Sequence, residues 1–137
     1  MPIEEVPYEE NKKATITGLD AYTLEKVPKL KMVSKEISFV YKEADEVLGS
    51  IVGHIQWDHL KIELFFVSKN TQGKGIGSKL LAHVEKLAKT ENCQYIFLET
   101  MSFNAPAFYQ KNGYEIVGKI DNSPLPGETR YFMKKDM

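Results

Sequence analysis

Residues 61–89 read "KIELFFVSKNTQGKGIGSKLLAHVEKLAK", and this stretch decides the fold. It begins with an apolar run of strand character, "KIELFFVS", and ends with a segment whose apolar residues recur at helical spacing. Three of the chain's nine glycines stand between these segments, within five positions. The stretch therefore predicts a strand, a glycine-rich corner and a helix, in that order.

The predicted helix is amphipathic. Lysines and a glutamate occupy one side, and the apolar residues fall on a single stripe of the other side: Ile76, Leu80, Leu81, Val84, Leu87 and Ala88. A helix with this pattern is expected to pack on a sheet through that stripe.

The flanking segments predict the other elements. A helix ends before Pro28, and two β segments joined by the polar turn "KEADE" precede the stretch. The strand "CQYIFLET" follows it, then a short helix with Asn104 as N-cap, Pro106 in the first turn and Gly113 at the C-terminus, and finally the strands "YEIVGKI" and "TRYFMKK". This order predicts an α/β (α+β) protein, with a mixed, mainly antiparallel central sheet of about six to seven strands flanked by helices. The 137 residues are expected to form a single domain.

Composition excludes several classes of protein. One cysteine, Cys93, predicts no intrachain disulfide, and three histidines without ligand spacing predict no metal site. A net charge of −1 with interleaved signs argues against nucleic acid as a partner, and no apolar run approaches the roughly 20 residues of a membrane span. The acidic N-terminus does not resemble a secretory signal, so we expect a cytoplasmic protein.

The glycine corner predicts an anion site. A helix N-terminus carries unpaired N–H groups and partial positive charge, and glycines let an anion come close. The order Gly77, Ser78, Lys79 does not match a P-loop, and the third glycine of the dinucleotide fingerprint is missing. These residues alone leave one alternative interpretation, which is a glycine-rich turn that binds no ligand.

Two motifs resemble those of the GNAT superfamily of N-acetyltransferases. Gln72, Gly75 and Gly77 form Q-x-x-G-x-G, which is similar to the family's pyrophosphate-binding motif. About 30 residues later comes a segment similar to N-x-x-A-x-x-[F/L]-Y-x-x-x-G-[F/Y], carried here by Asn104, Ala107, Phe108, Tyr109, Gly113 and Tyr114. The resemblance covers residues 35–135 and is closest to compact bacterial members with "FYxKxGY" and a late "RYFxxK".

The resemblance implies the GNAT fold, acetyl-coenzyme A as co-substrate and a small-molecule or peptide amine as acceptor. It implies that the pyrophosphate lies on the backbone N–H groups of residues 72–77, a set comprising Gln72, Gly73, Lys74, Gly75, Ile76 and Gly77. Ser78 would cap this site, and Asn104 would also touch coenzyme A. The pantetheine arm would pair with the main chain near Phe65 and Val67, on a strand that in the family splays from its neighbour.

The same resemblance assigns candidate catalytic residues. Tyr109 matches the family's tyrosine that protonates the coenzyme A thiolate, although a packing role is its alternative. Glu63 lies within an apolar strand, where strict alternation places it on the face of Phe65 and Val67, and it is the candidate general base or a binder of the acceptor ammonium. His54 is an alternative base. Lys61 occupies the other position where some members carry a glutamate.

The resemblance therefore implies an N-acetyltransferase that works by direct attack of the amine. The alternative is a non-catalytic acyl-coenzyme A-binding module on the same fold, and the presence of Tyr109 favours the enzyme. The sequence leaves the acceptor open, and leaves the oligomeric state open with a homodimer among the options.

Overall fold

A computed structural model describes residues 2–71 and 73–137, so Gln72 of the first motif lies outside the described residues. The chain divides into two compact units, Met1–Met32 and Val33–Met137, and each is described by itself. The first unit contains helix α1 (Tyr8–Lys26), which ends before Pro28 as predicted. Glutamates in its first turn and Lys26 in its last complement the helix dipole. In the described part of the chain, no helix is long and apolar enough to cross a membrane.

The second unit is built on a six-stranded sheet. Its elements are β1 (Ser34–Glu43), β2 (Glu46–Gln56), β3 (His59–Val67), α2 (Ile76–Thr90), β4 (Tyr95–Met101), α3 (Pro106–Lys111), β5 (Glu115–Asp121) and β6 (Thr129–Asp136). The strand order is β1-β2-β3-β4-β6-β5, and every neighbouring pair is antiparallel except β3 and β4. The predicted order of elements and the mixed, mainly antiparallel sheet are confirmed.

Helix α2 covers one face of this sheet, which we call the α2 face. The predicted stripe is the buried side of the helix: five of its six residues are buried and Leu87 is half-buried. They pack in one cluster with buried strand residues, among them Ile51, Leu60, Ile96 and Met133. Each fully buried aliphatic side chain of this kind stabilises the fold by about 1.5–3 kcal/mol.

Helix α3 differs from its predicted start. Pro106 occupies the first turn as expected, but the N-cap is Ala105, and Asn104 makes no capping hydrogen bond. The prediction that Asn104 caps α3 is therefore wrong. Because Pro106 has no N–H, this helix has one donor fewer to satisfy at its start. At the other end Gly113 adopts φ +93°, the left-handed conformation expected of a glycine that closes a helix.

A polar contact ties α2 to the segment after α3. The Tyr114 hydroxyl donates to Glu85 Oε2 at 2.9 Å, and Lys135 Nζ donates to Glu85 Oε1 at 3.2 Å. Burial, and then the Glu85 carboxylate, raise the pKa of Tyr114 well above its ordinary value. Glu85 is thus a nearly buried charge whose two oxygens are both hydrogen-bonded.

Replacing Tyr114 with Phe should therefore destabilise the protein by about 1–2 kcal/mol, because one oxygen of Glu85 loses its donor. Urea unfolding of the variant measures the change. Tyr8→Phe is the matched control, since Tyr8 is 73% exposed and should change the free energy of unfolding little. Equal stabilities for the two variants would contradict the role given to the Tyr114 hydroxyl.

Candidate active site

Strands β3 and β4 separate after four residues. They pair in parallel from His59 opposite Tyr95 to Ile62 opposite Leu98, and no pairing follows. From Glu63 onward the edge of β3 that faces β4 has no strand partner among the described residues. A cleft of about 960 Å³ lies here, lined by both strands, the glycine corner and α3. This is the separation that the family resemblance implies.

A bulge in β3 lies at the edge of this cleft. Ile62 faces Gly53 of β2 and Leu64 faces Val52, so Glu63 between them has no partner. An extra residue shifts the alternation of the strand by one position. The strict alternation expected through Glu63 is therefore wrong for this strand, although Glu63 is exposed and lines the cleft.

The register of β3 against β2 shows on which face of the sheet each side chain after the bulge lies. Directly opposed residues of an antiparallel pair share a face. Phe65 is opposite the buried Ile51, and therefore lies on the α2 face with Val67 two residues on. Leu64 and Phe66 lie on the opposite face, and all four residues line the cleft.

The glycine corner supplies free donors at the start of α2. Gly75 is the N-cap in the left-handed conformation, with φ +75° and no side-chain cap. The N–H groups of Ile76, Gly77 and Ser78 belong to the first turn and have no partner within the helix. A Cβ at Gly73 or Gly75 would meet no atom within 4 Å, so this side of the corner is open. One donor is used locally, because the Lys74 N–H donates to the Thr71 carbonyl at 3.2 Å.

Gly77 has a different role from Gly75. It is buried, and a Cβ there would lie 3.2 Å from the Phe108 ring and 3.3 Å from Val67. Its missing side chain lets α2 pack closely against α3 and β3. The two glycines of the first motif thus serve two purposes, an open helix start and a close helix contact.

Tyr109 lies where α3 meets the cleft. Its side chain is only 8% exposed and packs edge-to-face with Phe65, Phe108 and Tyr114. No side-chain hydrogen bond is found for its hydroxyl among the described residues, and the residue lines the cleft. Burial raises the pKa of Tyr109 to about 12, so the phenol is protonated at neutral pH.

Of three further candidate residues, one lines the cleft and two do not. Asn104 is exposed and lines the cleft. His54 and Lys61 are not among its lining residues, and His54 Nε2 instead lies 2.9 Å from Ser34 Oγ. His54 is thus engaged elsewhere on the sheet.

Glu99 is a cleft residue that sequence reasoning missed. It lies on β4, lines the cleft and lies 3.5 Å from Arg130 Nη1 of β6. The signal that marked Glu63, a carboxylate in an apolar strand, also marks Glu99 in "IFLET". Its ion pair could not be found that way, because it depends on β4 and β6 being neighbours.

The sequence of the chain matches a known enzyme family. Residues 6–114 match the model of the acetyltransferase (GNAT) family, and the chain belongs to this family. It is therefore an acyltransferase that depends on acetyl-coenzyme A, as the two motifs indicated.

Individual relatives agree with this assignment. Blasticidin-S acetyltransferase of Streptomyces morookaense is 38% identical over 96 residues, which cover 69% of this chain and 70% of that protein. The crystal structure of an acetyltransferase from Bacillus cereus superimposes with a TM-score of 0.86 at 29% identity, covering 98% and 96% of the two chains. A Bacillus anthracis protein, provisionally assigned as a streptothricin acetyltransferase and solved with acetyl coenzyme A, gives a TM-score of 0.66 at 28% identity over 74% and 62% of the chains.

Proposed function

We propose that this enzyme transfers the acetyl group of acetyl-coenzyme A to a primary amine of a small molecule by direct attack. The observation that carries the proposal is the cleft itself. It brings together an open helix start, an unpaired strand edge and the side chain of Tyr109. Anion binding, main-chain pairing and proton donation are the three tasks that this donor requires.

The donor pyrophosphate is assigned to the start of α2. Gly73, Gly75 and the first-turn residues Ile76, Gly77 and Ser78 would supply N–H donors, and the dipole of α2 favours negative charge there. Lys74 and Asn104 would flank this group, and the assignment of Gln72 to the pyrophosphate site rests on the motif alone. The pantetheine arm would then follow the unpaired edge of β3 beside Phe65 and Val67.

Gly75→Asp tests the pyrophosphate site. Both Asp and Asn tolerate the left-handed conformation of Gly75 and favour the N-cap position, so Gly75→Asn is a matched control without the charge. The Asp variant should bind acetyl-coenzyme A about 10-fold or more weakly than the Asn variant, because its carboxylate repels the pyrophosphate. Titration calorimetry gives both affinities. Equal affinities would place the pyrophosphate elsewhere.

The chemical step needs no covalent enzyme intermediate. The neutral amine attacks the thioester carbonyl carbon, a C–N bond forms, the C–S bond breaks, and the sulfur leaves with the bonding pair. Before attack the ammonium must lose a proton, and Glu63 is the proposed acceptor for it, directly or through water. A free N–H on the unpaired edge of β3 would stabilise the developing oxyanion.

Tyr109 is the proposed proton donor to the departing sulfur. With a pKa of about 12 it keeps its proton at working pH, but transfer to a thiolate with an aqueous pKa of about 8.5 is uphill by about 3.5 units. The burial that raises the phenol pKa would also disfavour a free thiolate beside it. The attacking nitrogen carries an extra proton once the C–N bond has formed. As the C–S bond breaks, Tyr109 gives its proton to the sulfur and the extra proton of the nitrogen passes to the Tyr109 oxygen, directly or through water. Neither a thiolate nor a phenolate then accumulates, and the products are a neutral amide and a thiol.

The acceptor class is supported by the relative that is named for blasticidin S, a small molecule. Incubation with acetyl-coenzyme A and a panel of amines tests the proposal. Thiol release should depend on the amine, and mass spectrometry should detect the N-acetyl product. Thiol release that is independent of every amine would contradict the proposed function.

The family match spans both units, from residue 6 to residue 114, and supports the proposal that residues 1–137 form one N-acetyltransferase domain. The cytoplasmic location and the absence of a metal remain predictions from the sequence, and the oligomeric state stays open, with a homodimer among the options.

A further inference from the structure

The cleft has an apolar wall on the face opposite α2. Leu64 and Phe66 lie on that face and are 72% and 66% exposed, although both line the cleft. Phe103, between β4 and α3, also lines it and is 56% exposed. Three large apolar side chains exposed in one cleft are typical of a ligand-binding surface. The donor assignment leaves these three residues unused.

A carboxylate stands on the same face as this wall. Leu98 and Thr100 of β4 are buried, and Leu98 pairs in register with Ile62 of the α2 face, so Glu99 between them points to the opposite face. Arg130 Nη1 lies 3.5 Å from Glu99 Oε1. This ion pair keeps the Glu99 carboxylate close to Arg130.

Arg130 has a donor that is not used. Its Nε is buried and has no hydrogen-bond partner among the described residues, while its side chain is 37% exposed as a whole. Such a donor is costly unless another group uses it. The Glu99 carboxylate lies beside Nη1 of the same guanidinium group and is a candidate acceptor for the Nε donor.

Given the proposed function, we propose that the acceptor is a primary amine carried on an apolar, aromatic-sized body. Glu99 binds its ammonium group, Arg130 positions Glu99, and Leu64, Phe66 and Phe103 contact the body. Acceptor and donor then approach the separation of β3 and β4 from opposite faces of the sheet. The reacting amine then lies beside Glu63, at the bulge of β3 that lines the cleft.

The same wall disfavours linear polyamines. A linear polyamine has no ring or branched apolar body to place on Leu64, Phe66 and Phe103, so it gains less apolar contact with this wall than an arylalkylamine does. An aromatic ring on this wall instead gains edge or stacking contacts with the two phenylalanines.

Four acceptors test the inference at saturating acetyl-coenzyme A: 2-phenylethylamine, n-butylamine, putrescine and spermidine. The expected kcat/KM for 2-phenylethylamine is at least about 10-fold above each of the others. Phe66→Ala should remove most of this preference, whereas Val40→Ala should not, because Val40 is similarly exposed but does not line the cleft. Both variants should keep the wild-type affinity for acetyl-coenzyme A.

Charge variants test the ammonium site. Glu99→Gln should raise the amine KM by about 10-fold or more with little change in acetyl-coenzyme A affinity. Arg130→Gln should raise the same KM, and Arg130→Lys should restore much of the loss, a rescue that a packing role would not give. Unchanged amine KM in Glu99→Gln would overturn the assignment of Glu99.

The inference and the proposed function fail in different ways. Absence of acetyl-coenzyme A binding in calorimetry would overturn the proposed function. Acetylation of putrescine or spermidine at an equal or higher kcat/KM would overturn the inference alone. The inference alone would also be overturned if the enzyme binds acetyl-coenzyme A but does not acetylate 2-phenylethylamine.

Discussion

Replacing Tyr109 with Phe should lower kcat by about 10- to 10⁴-fold and leave the affinity for acetyl-coenzyme A nearly unchanged. The substitution keeps the ring that packs on Phe65, Phe108 and Tyr114 and removes only the hydroxyl. If that hydroxyl protonates the leaving sulfur, its loss affects the transition state and not donor binding. Steady-state kinetics on the purified variant gives kcat, and calorimetry gives the affinity for acetyl-coenzyme A.

The control for this variant is its stability. No side-chain hydrogen bond of the Tyr109 hydroxyl is found among the described residues, so the free energy of unfolding at neutral pH should change by no more than about 1–2 kcal/mol. Wild-type kcat in a stable variant would show that Tyr109 is only a packing residue.

Alkaline pH gives an independent check on the Tyr109 phenol. Burial raises its pKa from about 10 in the unfolded chain to about 12 in the native protein. The native state therefore holds this proton between those values while the unfolded state loses it, so stability is complete below pH 10 and falls as the pH rises toward 12. Tyr109→Phe should show a shallower fall in stability across pH 10–12 than the wild type. An equal slope would contradict the burial of the phenol.

Glu63→Gln is expected to lower kcat/KM for the amine by about 10²-fold or more, with the affinity for acetyl-coenzyme A intact. Glutamine keeps the size and polarity of the side chain at the bulge but cannot accept the proton of the ammonium group. The loss should be largest at low pH, where most of the amine is protonated, and smaller at a pH near the amine's own pKa.

Lys61→Gln provides a matched control for Glu63. Lys61, like Glu63, is an exposed charged residue of β3, but it does not line the cleft. Its kcat/KM should stay near the wild-type value. If the Glu63→Gln enzyme has the wild-type pH profile, Glu63 is not the base, and the ammonium group of the acceptor loses its proton to bulk water.

The order of elements was predictable because each was encoded locally. The stripe from Ile76 to Ala88 has helical spacing, and the strands on either side are apolar runs bounded by turn residues. The two motifs were visible in the sequence, and Gly75, Gly77, Asn104, Phe108 and Tyr109 of these motifs line one cleft, whereas Ala107, Gly113 and Tyr114 do not. The predicted site residue Lys74 is also not among the lining residues.

Features that depend on neighbouring strands were not predictable in this way. The bulge at Glu63 exists only in the register of β3 against β2, so alternation along β3 alone could not reveal it. The pairing of Glu99 with Arg130 likewise requires β4 and β6 to be adjacent. Asn104 has the residue type of an N-cap, but the helix begins one residue later than that role needs.

Direct transfer between donor and amine is most directly tested by a single-turnover experiment. Enzyme in excess is mixed with acetyl-coenzyme A and the best amine of the panel, quenched at intervals, and measured by mass spectrometry of the small molecules and the intact protein. The expected result is one acetylated amine for each free coenzyme A, with no acetyl group on the protein at any time. An acetylated protein that forms without amine, at the buried Cys93 or elsewhere, and disappears when the amine is added would contradict direct attack.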